Sequence, residues 1–258
     1  PCEMDEILAL AASKNLYVIE DCAQAHGAKY KGRSVGGIGH VGAWSFCQDK
    51  IMTTGGEGGM VTVNDEKLWK KMWAFKDHGK SYDAVYHKNH SPGFRWLHES
   101  FGSNFRMTEM QAAIGRIQLR RMSEWNFKRR RNMRVIREIC QSFKSLRVPQ
   151  IGEHIGHGAY KCYVFVRSEQ LLLGWNRDRI IEHINAHGVP CFSGTCSEVY
   201  LEKAFDTGRL RPKETLPIAA ELGKSSLMFV VHPTITTAEL NLTVETIRDL
   251  FQDITRVV

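Results

Sequence analysis

The sequence predicts an α/β protein on three observations. Short apolar runs of strand length alternate with amphipathic helical stretches, one such run ends on two carboxylates, and 258 residues with 43% hydrophobic content suffice for a sizeable core. The spacing of Ile7, Leu8, Leu10 and Ala11 predicts a short helix over 5–13. Tyr17-Val18-Ile19 reads as a buried strand whose polar end, Glu20-Asp21, faces the carboxyl edge where open α/β sheets bind ligands. Val41 to Phe46 and Met60 to Val63 predict two more strands, and Asn64-Asp65 starts a helix with Leu68, Met72 and Phe75 on one face.

Residues 76–104, rich in His and Gly, predict a long loop, which in a compact domain serves function or reaches a partner. Thr108 and Gln111 form a capping-box pattern ahead of a helix that carries Met110, Ile114 and Ile117 and runs past Trp125 towards Cys140. After Pro149 the pattern changes: an alternating strand over 160–166, an Asn176-capped helix with Ile180, Ile181 and Ile184 stopped at Gly188, a strand over 227–231, and a last helix from Thr237 bearing Leu240, Val244, Ile247 and Phe251. This predicts a second, smaller α/β domain, with the division at 1–125 and 126–258.

Composition excludes several classes. The seven cysteines are odd in number and contain no CxxC pair, which predicts reduced thiols and a cytoplasmic setting. No apolar run approaches the roughly 20 residues of a membrane span. The net charge of +7 comes partly from Arg120-Arg121, Lys128 to Arg131 and Arg134 in one helical segment; without a nucleic-acid-binding module it reads as a solvated basic face that favours an anionic small substrate. No GxxxxGK[ST] loop is present. The chain opens at Pro1 and leads at once into helical spacing, as the interior of a domain would.

The chemistry centres on Lys50. It follows Ser45-Phe46, precedes the glycine loop Gly55-Gly56-Glu57-Gly58-Gly59, and lies downstream of Asp21 at a strand end. Together these match what pyridoxal phosphate requires: an amine for a Schiff base, a carboxylate for the pyridine nitrogen, and small hydroxyl or amide donors around the phosphate. Singly each has a plainer reading. Lys50 is also a surface lysine, Asp21 a helix N-cap, Gln24 a helix-surface amide, Ser45 a strand-end turn residue, and the glycines a tight turn. His26 fits a packed core position.

The ordered set Val18-Ile19-Glu20-Asp21-Cys22-Ala23-Gln24-Ala25-His26-Gly27-Ala28, Gly36-Gly37-Ile38-Gly39, Ser45-Phe46, Lys50, Gly56 to Met60, Asp77-His78-Gly79 and Gly102 to Met107 resembles the DegT/DnrJ/StrS family of sugar aminotransferases. The resemblance covers roughly residues 1 to 125; the remainder resembles that family's C-terminal domain more loosely. It implies an aspartate aminotransferase-like, fold type I protein: a three-layer pyridoxal-phosphate-transferase-like large domain, present in part and truncated at its N-terminus, with a smaller C-terminal α/β domain. By the same resemblance Lys50 carries pyridoxal 5'-phosphate and moves protons, and Asp21 pairs with the pyridinium nitrogen. Gln24 lies by the ring and its phenolic oxygen, and Ser45 binds the phosphate. Asn104 reaches across a homodimer interface to the neighbour's phosphate. Arg106 either meets an acidic donor or substrate group there or is a structural arginine at a helix start.

The implied reaction moves an amino group from an amino acid, glutamate by likeness, to a keto sugar linked to a nucleotide, for surface polysaccharide or related amino-sugar biosynthesis. Lys50 argues against the branch of the family that carries histidine there and performs dehydration. The rival readings are a non-catalytic cofactor-binding sensor or regulator on the same fold and a plain α/β binding domain without cofactor. Ser193 to Glu198 occupies a stretch that relatives vary with substrate. The family's phosphate-binding helix start and ring-stacking residue fall before the matched region, so the resemblance implies a weakened hold on the phosphate in this chain.

Overall fold

The structure, a computed structural model, describes residues 1–206 and 210–256. In chain order its first elements are α1 (Met4–Ser13), β1 (Ile19–Asp21), β2 (Lys29–Tyr30), β3 (Arg33–Ser34), β4 (Val41–Ser45), β5 (Gly59–Val63), α2 (Glu66–Lys76), α3 (Tyr82–Tyr86) and the 33-residue α4 (Glu109–Gln141). They are followed by β6 (Leu146–Arg147), β7 (Ile155–Gly156), β8 (Lys161–Val166), α5 (Arg177–Ala186), β9 (Cys191–Phe192), α6 (Pro217–Ser225), β10 (Ser226–Val230) and α7 (Thr237–Ile254).

Side-chain caps start the helices where the sequence places them. The Asp65 carboxylate accepts the Leu68 amide at 2.7 Å, and the Asn176 side chain accepts that of Arg179 at 2.9 Å. Thr108 and Gln111 exchange bonds ahead of α4, Gln111 N–H donating to the Thr108 hydroxyl and Thr108 N–H to the Gln111 side-chain oxygen. Thr236 and Glu239 form the same box before α7. Gly188, at φ +79°, follows α5 in the left-handed region that ends helices.

The chain divides into two compact units, one comprising residues 1–123 with 153–158 and the other 124–152 with 159–258. The first holds a three-stranded sheet ordered β1-β4-β5, in which β1 runs parallel to β4 and β5 antiparallel to it. A smaller sheet, β3-β2-β7, explains why residues 153–158 belong to this unit: β7 pairs with β2. Cys22, Ala28 and Val35 form a small core, with Ala25, Ile38 and Trp44 against it.

Two expectations for this unit are corrected. The first strand begins at Ile19 rather than Tyr17 and is not buried: Tyr17 is 72% and Ile19 69% exposed, because β1 is the sheet's edge and its Ile19 face is uncovered. The long loop after Lys76 contains α3, N-capped by Ser81, and two bridges, Asp77 with Asn104 and Lys80 with His98, so it returns on itself as an ordered excursion.

The second unit is built on an antiparallel sheet ordered β6-β8-β10-β9, with Val164 opposite Leu227 and Cys162 opposite Phe229. Cys162, Val164 and Val166 alternate inward along β8, as a period-two pattern requires. They join Ile180 and Ile184 of α5 and Ile247, Leu250, Phe251 and Ile254 of α7 in one core. Burying each large aliphatic side chain there contributes about 1.5–3 kcal/mol. All seven cysteines are free. Among the described residues, no helix is long and apolar enough to cross a membrane.

Candidate functional site

Strand register brings the first two candidates together. Asp21 pairs with Ala43 across the parallel β1/β4 ladder, and Ser45 lies two residues further along β4. Paired residues, and residues two apart on a strand, share a face of the pleat, so Asp21, Ala43 and Ser45 project to one side of the sheet's carboxyl edge while Glu20, Gly42 and Trp44 project to the other. Two residues of rise and one strand spacing put the Asp21 and Ser45 Cα atoms roughly 8 Å apart.

Asp21 is exposed and ends β1 in a turn, its Oδ1 accepting the Ala23 amide at 3.0 Å. No helix follows, so Asp21 is not a helix N-cap and Gln24 is not on a helix: it sits exposed in the turn over 23–24. The Ser45 hydroxyl accepts the Cys47 amide at 3.4 Å, which leaves its proton to donate to a ligand.

Lys50 stands in the turn that β4 runs into, its N–H donating to the Cys47 carbonyl at 3.1 Å. Its side chain is 16% exposed, and Nζ lies 3.8 Å from Asp49 Oδ1. The segment around it is tied down by bonds that sequence patterns do not reveal. Phe46 N–H donates to the Gly58 carbonyl at 2.8 Å, the Thr53 hydroxyl to the Phe46 carbonyl at 3.0 Å, and the Gln111 amide of α4 to the Glu57 carbonyl at 2.7 Å. The glycines here serve close packing. A Cβ at Gly58 would collide with the Thr54 hydroxyl, and one at Gly59 would lie 2.9 Å from the Trp44 carbonyl.

His26 is buried beneath the strand, its ring centroid 5.2 Å from that of Trp44 and 5.9 Å from that of Phe46. This is the packed core position its sequence context suggests.

Asn104 belongs to a different cluster. It bridges to Asp77, and its side-chain oxygen accepts the Arg106 Nε–H at 3.0 Å. Asp77, only 11% exposed at its side chain, has His78 Nδ1 and Lys80 Nζ each at 3.2 Å and Arg106 Nε at 3.7 Å. Burial pushes its carboxyl up, but the His78 and Lys80 hydrogen bonds with the Lys80 and Arg106 charges outweigh it and hold the group below its ordinary value. Beside this cluster, a groove of about 1280 Å³ opens between β4, β5 and α2, lined by Val61, Met72, Phe75 and Phe105 among others; none of Asp21, Gln24, Ser45, Lys50 and Asn104 lines it.

The donor set at the sheet edge fits pyridoxal phosphate by its chemistry. A carboxylate and a hydroxyl on one face are followed by a half-buried amine in a fixed turn, the acid, donor and amine that the cofactor's ring nitrogen, phosphate and aldehyde call for. Among the described residues no cluster of three or more His, Cys, Asp or Glu could hold a metal ion.

These features define a class, an α/β chain presenting an acid, a hydroxyl and a lysine at the carboxyl edge of a sheet. The chain belongs to the DegT/DnrJ/EryC1/StrS aminotransferase family, whose description matches residues 1–248. It is similar to the aminotransferase from Psychrobacter cryohalolentis, whose X-ray structure superposes with a TM-score of 0.95 at 62% identity over 98% of this chain and 66% of that one. The fold is therefore that of the pyridoxal-phosphate-dependent aminotransferases of fold type I. The structure of Streptomyces venezuelae DesV, solved in complex with a ketimine intermediate, aligns at a TM-score of 0.83 and 26% identity over 100% of this chain and 63% of that one. GDP-perosamine synthase of Escherichia coli is 30% identical over 260 residues, covering 98% of this chain. The chain spans 48% and 63% of the lengths of the first two curated relatives it matches.

Proposed function

We propose that this chain is the cofactor-bearing part of a pyridoxal-phosphate-dependent sugar aminotransferase, with residues 1–125 as the cofactor-binding domain and 126–258 as the smaller domain. The single observation that carries the reading is the β1/β4 register, which puts Asp21 and Ser45 on one face ahead of the half-buried Lys50. When bound, pyridoxal phosphate supplies an electron sink for the carbanion formed at an amino-bearing carbon.

The chain's own groups do the rest. The Lys50 amine holds the cofactor and then moves a proton on and off the substrate carbon as general base and acid. The Asp21 carboxylate keeps the ring nitrogen protonated, Ser45 donates to the phosphate, and Gln24 stands by the ring's phenolic oxygen. Glutamate gives the amino group and a nucleotide-linked keto sugar receives it, in amino-sugar or surface polysaccharide biosynthesis. That reading is supported by relatives named GDP-perosamine synthase and spore coat polysaccharide biosynthesis protein.

The visible spectrum of the protein mixed with pyridoxal phosphate, before and after glutamate, tests it. A band that glutamate discharges is expected; a band that glutamate leaves untouched makes the chain a cofactor-binding sensor, and no band makes it a plain binding domain. Asn104 acts in the site of a second copy, so the active form is a homodimer with an interface above roughly 1,000 Å² in total. Sedimentation of a fully active monomer would refute that part.

A further inference from the structure

We infer that Glu20 is a positioning residue that fixes where Asp21 presents its carboxylate; the inference rests on the proposed cofactor site. Glu20 is 8% exposed and projects to the face of β1 opposite Asp21. Its Oε2 accepts the Gly36 amide at 2.8 Å, and its Oε1 accepts those of Ile38 at 2.8 Å and Gly39 at 2.6 Å. Three backbone donors within four residues converge on one buried carboxylate, the arrangement that makes hydrogen bonds short and strong.

The clamped segment is the entry to β4. Gly36 adopts φ +80°, and its carbonyl accepts the Thr62 hydroxyl of β5 at 2.5 Å. That hydroxyl in turn accepts the Trp44 indole N–H at 3.0 Å. One chain of hydrogen bonds therefore joins β1, the 36–39 segment, β4 and β5.

Position is at stake because β1 is short and at an edge. It contributes three residues to the ladder and, among the described residues, pairs with β4 alone. Asp21 is its last residue, exposed, and beyond it the chain turns away. The Glu20 clamp fixes the peptide immediately before Asp21 from the far face, so its loss lets the strand end rotate and moves the Asp21 carboxylate relative to Ser45 and Lys50.

Glu20→Gln is nearly isosteric yet sets an NH₂ group against at least one of the three amides, donor facing donor. Two readouts are expected to change. Hydrogen exchange at Gly36, Ile38 and Gly39 should accelerate about tenfold or more. In protein loaded with pyridoxal phosphate, the pH titration of the Lys50-dependent visible band should shift in the direction that Asp21→Asn shifts it, and the double variant should shift no further than Asp21→Asn alone.

A purely structural Glu20 would speed exchange and lower Tm while leaving the band's titration at the wild-type value; that result overturns the inference. Should Glu20→Gln fail to fold, Gly39→Ala disturbs the clamp from its other side, since the new Cβ would meet the Glu20 Cγ at 3.2 Å and the Val18 carbonyl at 3.0 Å. It should shift the band the same way, and an unmoved band again overturns the inference. If wild-type protein shows no visible band, or Lys50→Ala keeps it, the cofactor reading itself has failed, while the exchange rates still report on the clamp.

Discussion

The amide of Thr53 donates to the side-chain oxygen of Gln118 at 2.8 Å, a contact spanning 65 positions that pins the segment after Lys50 to α4. Gln111, two turns earlier on the same helix, holds the Glu57 carbonyl. The lysine turn is thus held at its far side by a helix that supplies none of the candidate site residues. A reactive amine needs that fixity, because misplacement of about 1 Å can cost on the order of 10²-fold in rate.

Lys50→Ala is expected to abolish the visible band and all turnover while leaving the fold intact. Nζ lies 3.8 Å from the carboxylate of Asp49, whose side chain is mostly exposed, and a pair of that kind contributes little, so Tm should move by only a few degrees, about 4 °C. Absorbance, a glutamate-dependent assay and circular dichroism melting check the three parts. Transamination by the variant would remove Lys50 from the site.

Asp21→Asn should still bind the cofactor but turn over on the order of 10²-fold more slowly, since an amide cannot hold the ring nitrogen protonated. Single-turnover kinetics with glutamate separate the proton-transfer step from binding. Wild-type rates in the variant would exclude Asp21.

Asp77 gives a pH dependence whose sign follows from its lowered pKa. Below its ordinary value of 3.8 the unfolded chain binds the proton before the folded one does. Its stabilisation is therefore complete above that value and is lost as pH falls through the lower folded value. Urea unfolding of wild type and Asp77→Asn should differ by about 1–3 kcal/mol at pH 7 and converge towards pH 3. A gap that does not narrow contradicts the assignment.

Core substitutions in the second unit should be costly in proportion to burial. Ile184→Ala, at a fully buried position in this core, is expected to cost about 3–4 kcal/mol, and Ile247→Val about 1 kcal/mol. Phe127→Ala, at a position 68% exposed, should change stability by less than about 0.5 kcal/mol. Denaturant midpoints at constant slope supply the comparison.

Much of this was legible in the residues because it depends on local rules. Capping residues marked the starts of α2, α5 and α4, and alternation marked β8, since both signals lie within a few positions of the element they specify. The first strand was misread because an apolar run does not say whether a neighbour covers it; Tyr17 and Ile19 carry strand-like side chains into solvent. The two-residue strands β2, β3, β6, β7 and β9 are too short to leave a period. At the proposed site, residue types pointed to Asp21, Ser45 and Lys50, but only the register of β1 on β4 puts the first two on one face. The grip of Glu20 on three amides left no motif beyond an acid near a glycine run.

The order β6-β8-β10-β9 has a consequence for how the polypeptide matures. β8 ends at Val166 and its central partner β10 begins at Ser226, so nearly sixty residues are made between them. On the ribosome the Lys-Cys-Tyr-Val-Phe-Val strand emerges with one charge and waits, for seconds at ordinary synthesis rates, with an open edge on the side that β10 will occupy. In that interval a nascent chain carries an unpaired, largely apolar strand edge that only later synthesis can cover.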